Sequence, residues 1–178
     1  MILKGKKVRL RPMTAKEIPL FFKWATQSDA TPYWYGELQG DEIPTKKEFL
    51  KDWKKHYFNG SAPEKGRCFV ILANQEAIGQ VNYNKINRKD HSVELDIIIA
   101  DDKHKGKGYG SDALQILSRY LFKEMGVQKC WIEVITGNPR AVKAYRKAGF
   151  KIKKKFVDME RKCLHMELSK IDLNTSVL

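Results

Sequence analysis

The chain has 178 residues and an apolar share of 42%, which is enough for one domain with a real hydrophobic core. Its net charge of +13 raises nucleic acid as a partner, but the lysines are widely spread and no helix-turn-helix, RNP-type or zinc-finger pattern occurs, so nucleic acid is not expected as the main ligand. No apolar run approaches the roughly 18 residues of a membrane span, the basic start "MILKGKKVRLRP" lacks a signal-peptide core, and Cys68, Cys130 and Cys163 have neither disulfide-framework nor metal-ligand spacing, so a soluble cytoplasmic protein without a metal is expected.

The elements read in order as follows. Residues 7–12, "KVRLRP", alternate as a first strand. Thr14 with Glu17 forms a capping box for a helix over 14–27, with Ile18, Phe21, Phe22 and Trp24 as its apolar stripe. Residues 30–44 are irregular, aromatic and acidic, and a second helix runs from Thr45 to about Tyr57. "RCFVILAN" and "EAIGQVNYNKI" form a hairpin across Asn74 and Gln75, and "SVELDIIIA" at 92–100 follows as a strand. A helix over roughly 110–125 stops at Gly126. "KCWIEVI" at 129–135 is a strand, and Asn138 and Pro139 start a helix that ends at Gly149. "FKIKKKF" and "CLHMEL" close the domain as an antiparallel pair across "VDMER", and residues 170–178 are expected to fray. This mixed order excludes a fully parallel doubly wound sheet.

The stretch "HKGKGYGSDAL" at 104–114 lies between a strand and a helix. Gly106, Gly108 and Gly110 fit neither the dinucleotide fingerprint nor the Walker loop. What remains is a basic glycine loop opening onto a helix N-terminus, where unpaired backbone N–H groups can face an anion. By spacing alone the loop suits an anion or a plain connection.

"IIIADDKHKGKGYGSDALQIL", with "NPRAVKAYRKAGF" downstream, resembles the GCN5-related N-acetyltransferase (GNAT) superfamily. The acyl-CoA loop corresponds to Lys105-Gly106-Lys107-Gly108-Tyr109-Gly110, with lysine in place of the usual glutamine or arginine. The later motif matches at Asn138, Ala141, Tyr145, Gly149 and Phe150. The resemblance covers about residues 7–169 and implies a single α/β (α+β) domain over 1–169. It implies one mixed, mainly antiparallel sheet of about seven strands, helices on both faces and a splayed fourth strand.

The resemblance also implies acetyl-CoA as co-substrate. Its pyrophosphate would rest on Lys105 to Gly110, with the Ser111 hydroxyl as a further donor. Its pantetheine arm would pair with Ile97, Ile98 and Ile99, Asn138 would orient that arm, and Tyr145 would protonate the leaving thiolate. Glu94 and Asp96 share one strand face. Either could take the proton from a primary amine, which is protonated at neutral pH and cannot otherwise attack a thioester. Asp96 is the favoured amine contact, with Glu94 in support.

For the acceptor, Tyr33, Trp34 and Tyr35 could stack on a sugar or hold a cation, and Glu37, Asp41 and Glu42 could bind ammonium groups. This arrangement resembles the aminoglycoside 6′-N-acetyltransferases, which would imply antibiotic resistance, and its "YW" resembles the polyamine branch. A ribosomal-type protein N-terminal acetyltransferase, or a non-catalytic acyl-CoA or nucleic-acid binding module, are the alternatives. Homodimers are common in the superfamily.

Overall fold

The computed structural model describes residues 1–35 and 43–175. Eight strands form one sheet, in the order β1 (Leu3–Lys4), β2 (Arg9–Pro12), β3 (Arg67–Ala73), β4 (Glu76–Tyr83), β5 (Ser92–Ile99), β6 (Lys129–Ile135), β8 (Arg161–Ser169) and β7 (Lys151–Asp158). Only the β5–β6 pair is parallel. The strand beyond the expected seven is β1, which pairs Leu3 with Leu10 and Lys4 with Arg9. Two residues are too few for an alternation signal.

Strand alternation sorts the core into two layers. One face of the sheet carries Leu10, Phe69, Ile71, Val81, Tyr83 and Leu95 under α5 (Tyr109–Glu124) and α6 (Pro139–Ala148). The other carries Cys68, Val70, Ile98 and Ala100 under α1 (Ile18–Thr26), α2 (Thr31–Trp34), α3 (Lys46–Asp52) and α4 (His56–Asn59). Glu94 and Asp96 lie four and two residues before Ile98 on β5 and so face this second layer.

Three segments depart from the sequence expectation. The first helix opens with a 3-10 turn over Ala15–Glu17 and becomes α-helical only at Ile18, with Pro19 in its first turn. The helix expected over 45–57 breaks, because Trp53 leaves the helical region (φ −92, ψ 84). Its ring packs edge-on to Phe21 at 4.6 Å and Tyr57 at 5.1 Å, so aromatic packing overrides helix continuity. Residues 31–34, expected to be irregular, make the single turn of α2. Residues 170–175 form α7 (Lys170–Thr175).

The feature that positions the site is a seam. β5 and β6 pair only through Ser92–Lys129, Val93–Cys130 and Glu94–Trp131. Beyond Glu94, β5 stays with β4 and β6 stays with β8. The Glu94 carbonyl accepts from Asn84 N–H, and Ala100 N–H donates to Ile78. Backbone groups alternate sides along a strand, so those of Ile97 and Ile99 face the opening.

Gly79 keeps β5 in place on its other side. A Cβ there would lie 1.9 Å from the Ile98 carbonyl oxygen. Gly79→Ala is expected to cost about 1–3 kcal/mol through overpacking, seen as a fall of several degrees in Tm. Gly137→Ala, where a Cβ meets nothing within 4 Å, should leave Tm almost unchanged.

Candidate active site

Where β5 and β6 part, a cleft of about 600 Å³ runs through the sheet. Ile97, Ile98 and Ile99 form one wall, and Ile132 to Ile135 of β6 form the other. The glycine loop and α6 bound it on one side of the sheet, while Tyr33 and Trp34 bound it on the other. Parts 60 to 110 residues apart in sequence therefore meet at one opening.

Asp96 lines this cleft. Its Oδ2 accepts Nδ2–H bonds from Asn82 at 3.0 Å and from Asn84 at 2.9 Å. Asn84 also donates to Glu94 Oε2 at 3.0 Å, so one amide nitrogen bridges the two carboxylates. The orientation of that amide is set by its oxygen, which accepts from Tyr57 Oη at 3.0 Å and Asn82 Nδ2 at 3.1 Å. Desolvation pushes the Asp96 carboxyl above its ordinary value, against the pull of the two amides. Desolvation also pushes Glu94 up, helped by the neighbouring charges of Asp96 and Glu133. A carboxylate raised in this way is suited to take a proton near neutral pH.

Tyr145 sits on the facing wall, 8% exposed, with its ring 6.4 Å from Phe150 in the core. Burial holds its hydroxyl well above the ordinary tyrosine value, so it stays protonated. Asn138 caps α6, its Oδ1 accepting from Ala141 N–H at 3.1 Å, and it too lines the cleft. The Ser111 hydroxyl, expected to face phosphate, donates instead to the Ala144 carbonyl at 3.0 Å and ties α5 to α6. That bond uses the hydroxyl proton.

The loop has the geometry of an anion cradle. Gly106 (φ 77) and Gly108 (φ 82) take left-handed conformations, which cost a residue with a Cβ. Gly108 is the N-cap of α5, so unpaired N–H groups follow it. A Cβ on Gly106 would meet nothing within 4 Å, leaving open space above the loop. Tyr109 and Gly110 line the same cleft. Lys105 is paired with Asp102 at 2.8 Å, and Asp102 also takes Arg140 at 3.2 Å. An open strand edge, a cradle at a helix N-terminus and a protonated tyrosine between them fit a long anionic thioester lying through the sheet.

The chain matches the model of the acetyltransferase (GNAT) domain over residues 7–151. It is a GNAT acetyltransferase. It is 28% identical over 154 residues to an aminoglycoside N(6′)-acetyltransferase type 1 of Klebsiella pneumoniae, covering 80% of this chain and 73% of that one. It is 26% identical over 145 residues to a spermidine N(1)-acetyltransferase of Escherichia coli K12, covering 82% and 73%. The crystal structure of a spermidine N-acetyltransferase from Vibrio cholerae, in complex with CoA and spermine, superposes with a TM-score of 0.78 at 21% identity, over 96% of this chain and 99% of that one. The co-substrate of this GNAT acetyltransferase is acetyl-CoA, and its reaction is acetyl transfer to an amine nitrogen.

On the acceptor side of this acetyltransferase, Tyr33 and Trp34 line the cleft, and Tyr35 packs half-buried in the second core layer. Glu37, Asp41 and Glu42 lie outside the described residues. Sequence reasoning missed a third carboxylate. Glu133 of β6 lines the cleft and bonds to His165 Nδ1 at 3.0 Å. His165 in turn reaches Glu167 at 3.2 Å and stacks on Trp131 at 5.1 Å. Asn82 and Asn84 were missed as well. Their alternation, two residues apart on the strand paired with "VELD", is the signal that places them beside Asp96 and Glu94. No helix among the described residues is long and apolar enough to cross a membrane.

Proposed function

We propose that the enzyme acetylates a primary amine of a small acceptor carrying several ammonium groups, of the polyamine or aminoglycoside kind, by direct transfer. The observation that carries this reading is that Asp96 and Glu133 line one cleft, with Glu94 bridged to Asp96 by Asn84, in a protein of net charge +13. The overall field repels a polycation, so the acceptor site needs a local excess of carboxylates to reverse it. The curated relatives, one named for aminoglycosides and one for spermidine, are consistent with such an acceptor.

Acetyl-CoA supplies a thioester carbonyl to the cleft when bound. Lys105 to Gly110 would cradle its diphosphate with backbone N–H groups, and the open edge at Ile97 and Ile99 would pair with its arm. Asp96 receives the proton of the acceptor ammonium on its carboxylate, held ready by the Asn82 and Asn84 amides. A backbone N–H on the open edge of β5 faces the developing oxyanion. As the intermediate collapses and the carbon–sulfur bond breaks, the Tyr145 hydroxyl would give its proton to the departing sulfur and regain one from the attacking nitrogen, which sheds its second proton to become the amide. No enzyme nucleophile takes part. All three cysteines are free and buried, and burial pushes Cys68 up strongly and Cys130 up to about 12, so neither of those two offers a thiolate. Cytoplasmic action and a homodimer belong to this proposal and are carried by the resemblance alone.

Steady-state turnover of acetyl-CoA against spermidine, spermine, aminoglycosides, simple monoamines and N-terminal peptides tests the acceptor. Turnover is expected with the multiply charged small amines and not with monoamines. A higher kcat/KM for peptide N-termini would replace this reading with the protein N-terminal one.

A further inference from the structure

We propose that Lys7 and Lys147 form a two-ammonium clamp on a phosphate group of the coenzyme, and that Asp112 holds Lys7 in position. The proposal rests on acetyl-CoA occupying the glycine loop. One of the loop's own lysines already has its charge paired. Lys105 Nζ is engaged by Asp102 at 2.8 Å. Lys107 presents its carbonyl oxygen, which accepts from Lys7 Nζ at 2.8 Å.

The two other ammonium groups converge on the loop from distant elements. A Cβ on Gly108 would lie 3.3 Å from Lys7 Nζ and 3.7 Å from Lys147 Nζ. Gly108 opens α5, so both charges stand over the positive end of a helix dipole. Among the described residues, neither lysine has a carboxylate within ion-pair distance. Two like charges beside a helix N-terminus repel one another, and a phosphate between them reverses that repulsion.

The placement of Lys7 is built rather than loose. Asp112, in the first turn of α5 and 6% exposed, accepts the backbone N–H groups of Lys6, Lys7 and Val8 at 3.2, 2.7 and 2.9 Å. This clasp docks the β1–β2 connection against the start of α5. Gly5 permits it, since a Cβ there would lie 2.4 Å from Asp112 Oδ2. Lys147 arrives from the last turn of α6, two residues after Tyr145, and lines the cleft. One short helix thus carries both a phosphate ligand and the hydroxyl at the thioester end.

Isothermal titration of the full chain with CoA and with 3′-dephospho-CoA tests the clamp. Lys7→Met and Lys147→Met are each expected to weaken CoA about tenfold, as loss of a charge-assisted contact does, with unchanged Tm. If the contact is to the 3′-phosphate, dephospho-CoA binds the variants and the wild type equally. If it is to the diphosphate, dephospho-CoA shows the same tenfold loss. Asp112→Asn is expected to weaken CoA in the wild-type background and to add nothing in the Lys7→Met background, which a purely structural role would not produce. Unchanged CoA affinity in both lysine variants, with normal binding by the wild type, overturns the clamp. Absence of CoA binding by the wild type overturns the coenzyme reading beneath it.

Discussion

Asp96→Asn is expected to lower kcat by about 10²–10⁴-fold, the usual contribution of a positioned general base. The asparagine keeps an oxygen to accept from Asn82 and Asn84, so the loss reflects proton transfer and not collapse of the network. In the wild type, kcat/KM should climb with pH on its acid limb as Asp96 ionises, at a pH above the ordinary aspartate range because desolvation raises the group. That limb should vanish in the variant. Glu94→Gln is the companion measurement. A larger loss there than in Asp96→Asn would move the base to Glu94.

The same substitution carries a stability signature of opposite sense. Because the Asp96 carboxyl is raised in the folded protein, the folded state binds its proton more readily than the unfolded chain does. The resulting stability is full below the unfolded value, about 3.9, and is lost as pH rises through the folded value. An asparagine has no charge to bury. Asp96→Asn should therefore match the wild type in acid and exceed it in Tm at neutral pH. An enzyme that becomes inactive and more stable together identifies a carboxylate kept at a cost for its chemistry.

Tyr145→Phe is the second large effect, with kcat expected to fall by about 10²–10⁴-fold and the affinity for CoA unchanged. The ring packs against Phe150 in the core, and phenylalanine preserves that packing. Burial keeps the hydroxyl protonated, so a donor is present throughout the working range and is removed only by mutation. Equal losses in kcat and in CoA affinity would instead make Tyr145 a binding residue.

Much of this was legible from local signals. The Asn138-Pro139 start and Gly149 stop of α6, the hairpin at Asn74–Gln75 and the strand carrying Glu94 and Asp96 are all present. These features depend on capping, turn residues and alternation, which neighbouring residues decide. The break at Trp53 was not legible, because it depends on Phe21 and Tyr57 packing around one indole. Glu133 was not legible either, since the cleft it lines exists only because β5 and β6 part beyond Glu94 and Trp131. The placement of Lys7 was not legible either, because it depends on Asp112, 105 residues away, accepting its backbone N–H.

The three-pair seam between β5 and β6 has a consequence for how the protein holds itself together. The sheet is two half-sheets, one of five strands and one of three, stitched at one end and open at the other. At the open end, on the side away from β4, the backbone groups of Ile97 and Ile99 have no neighbouring strand among the described residues. A ligand arm that pairs with them is in effect a ninth strand, supplied from outside the chain. The coenzyme would then act as a removable structural part as well as a reagent, and each turnover would withdraw that strand from the open end and fit another in its place.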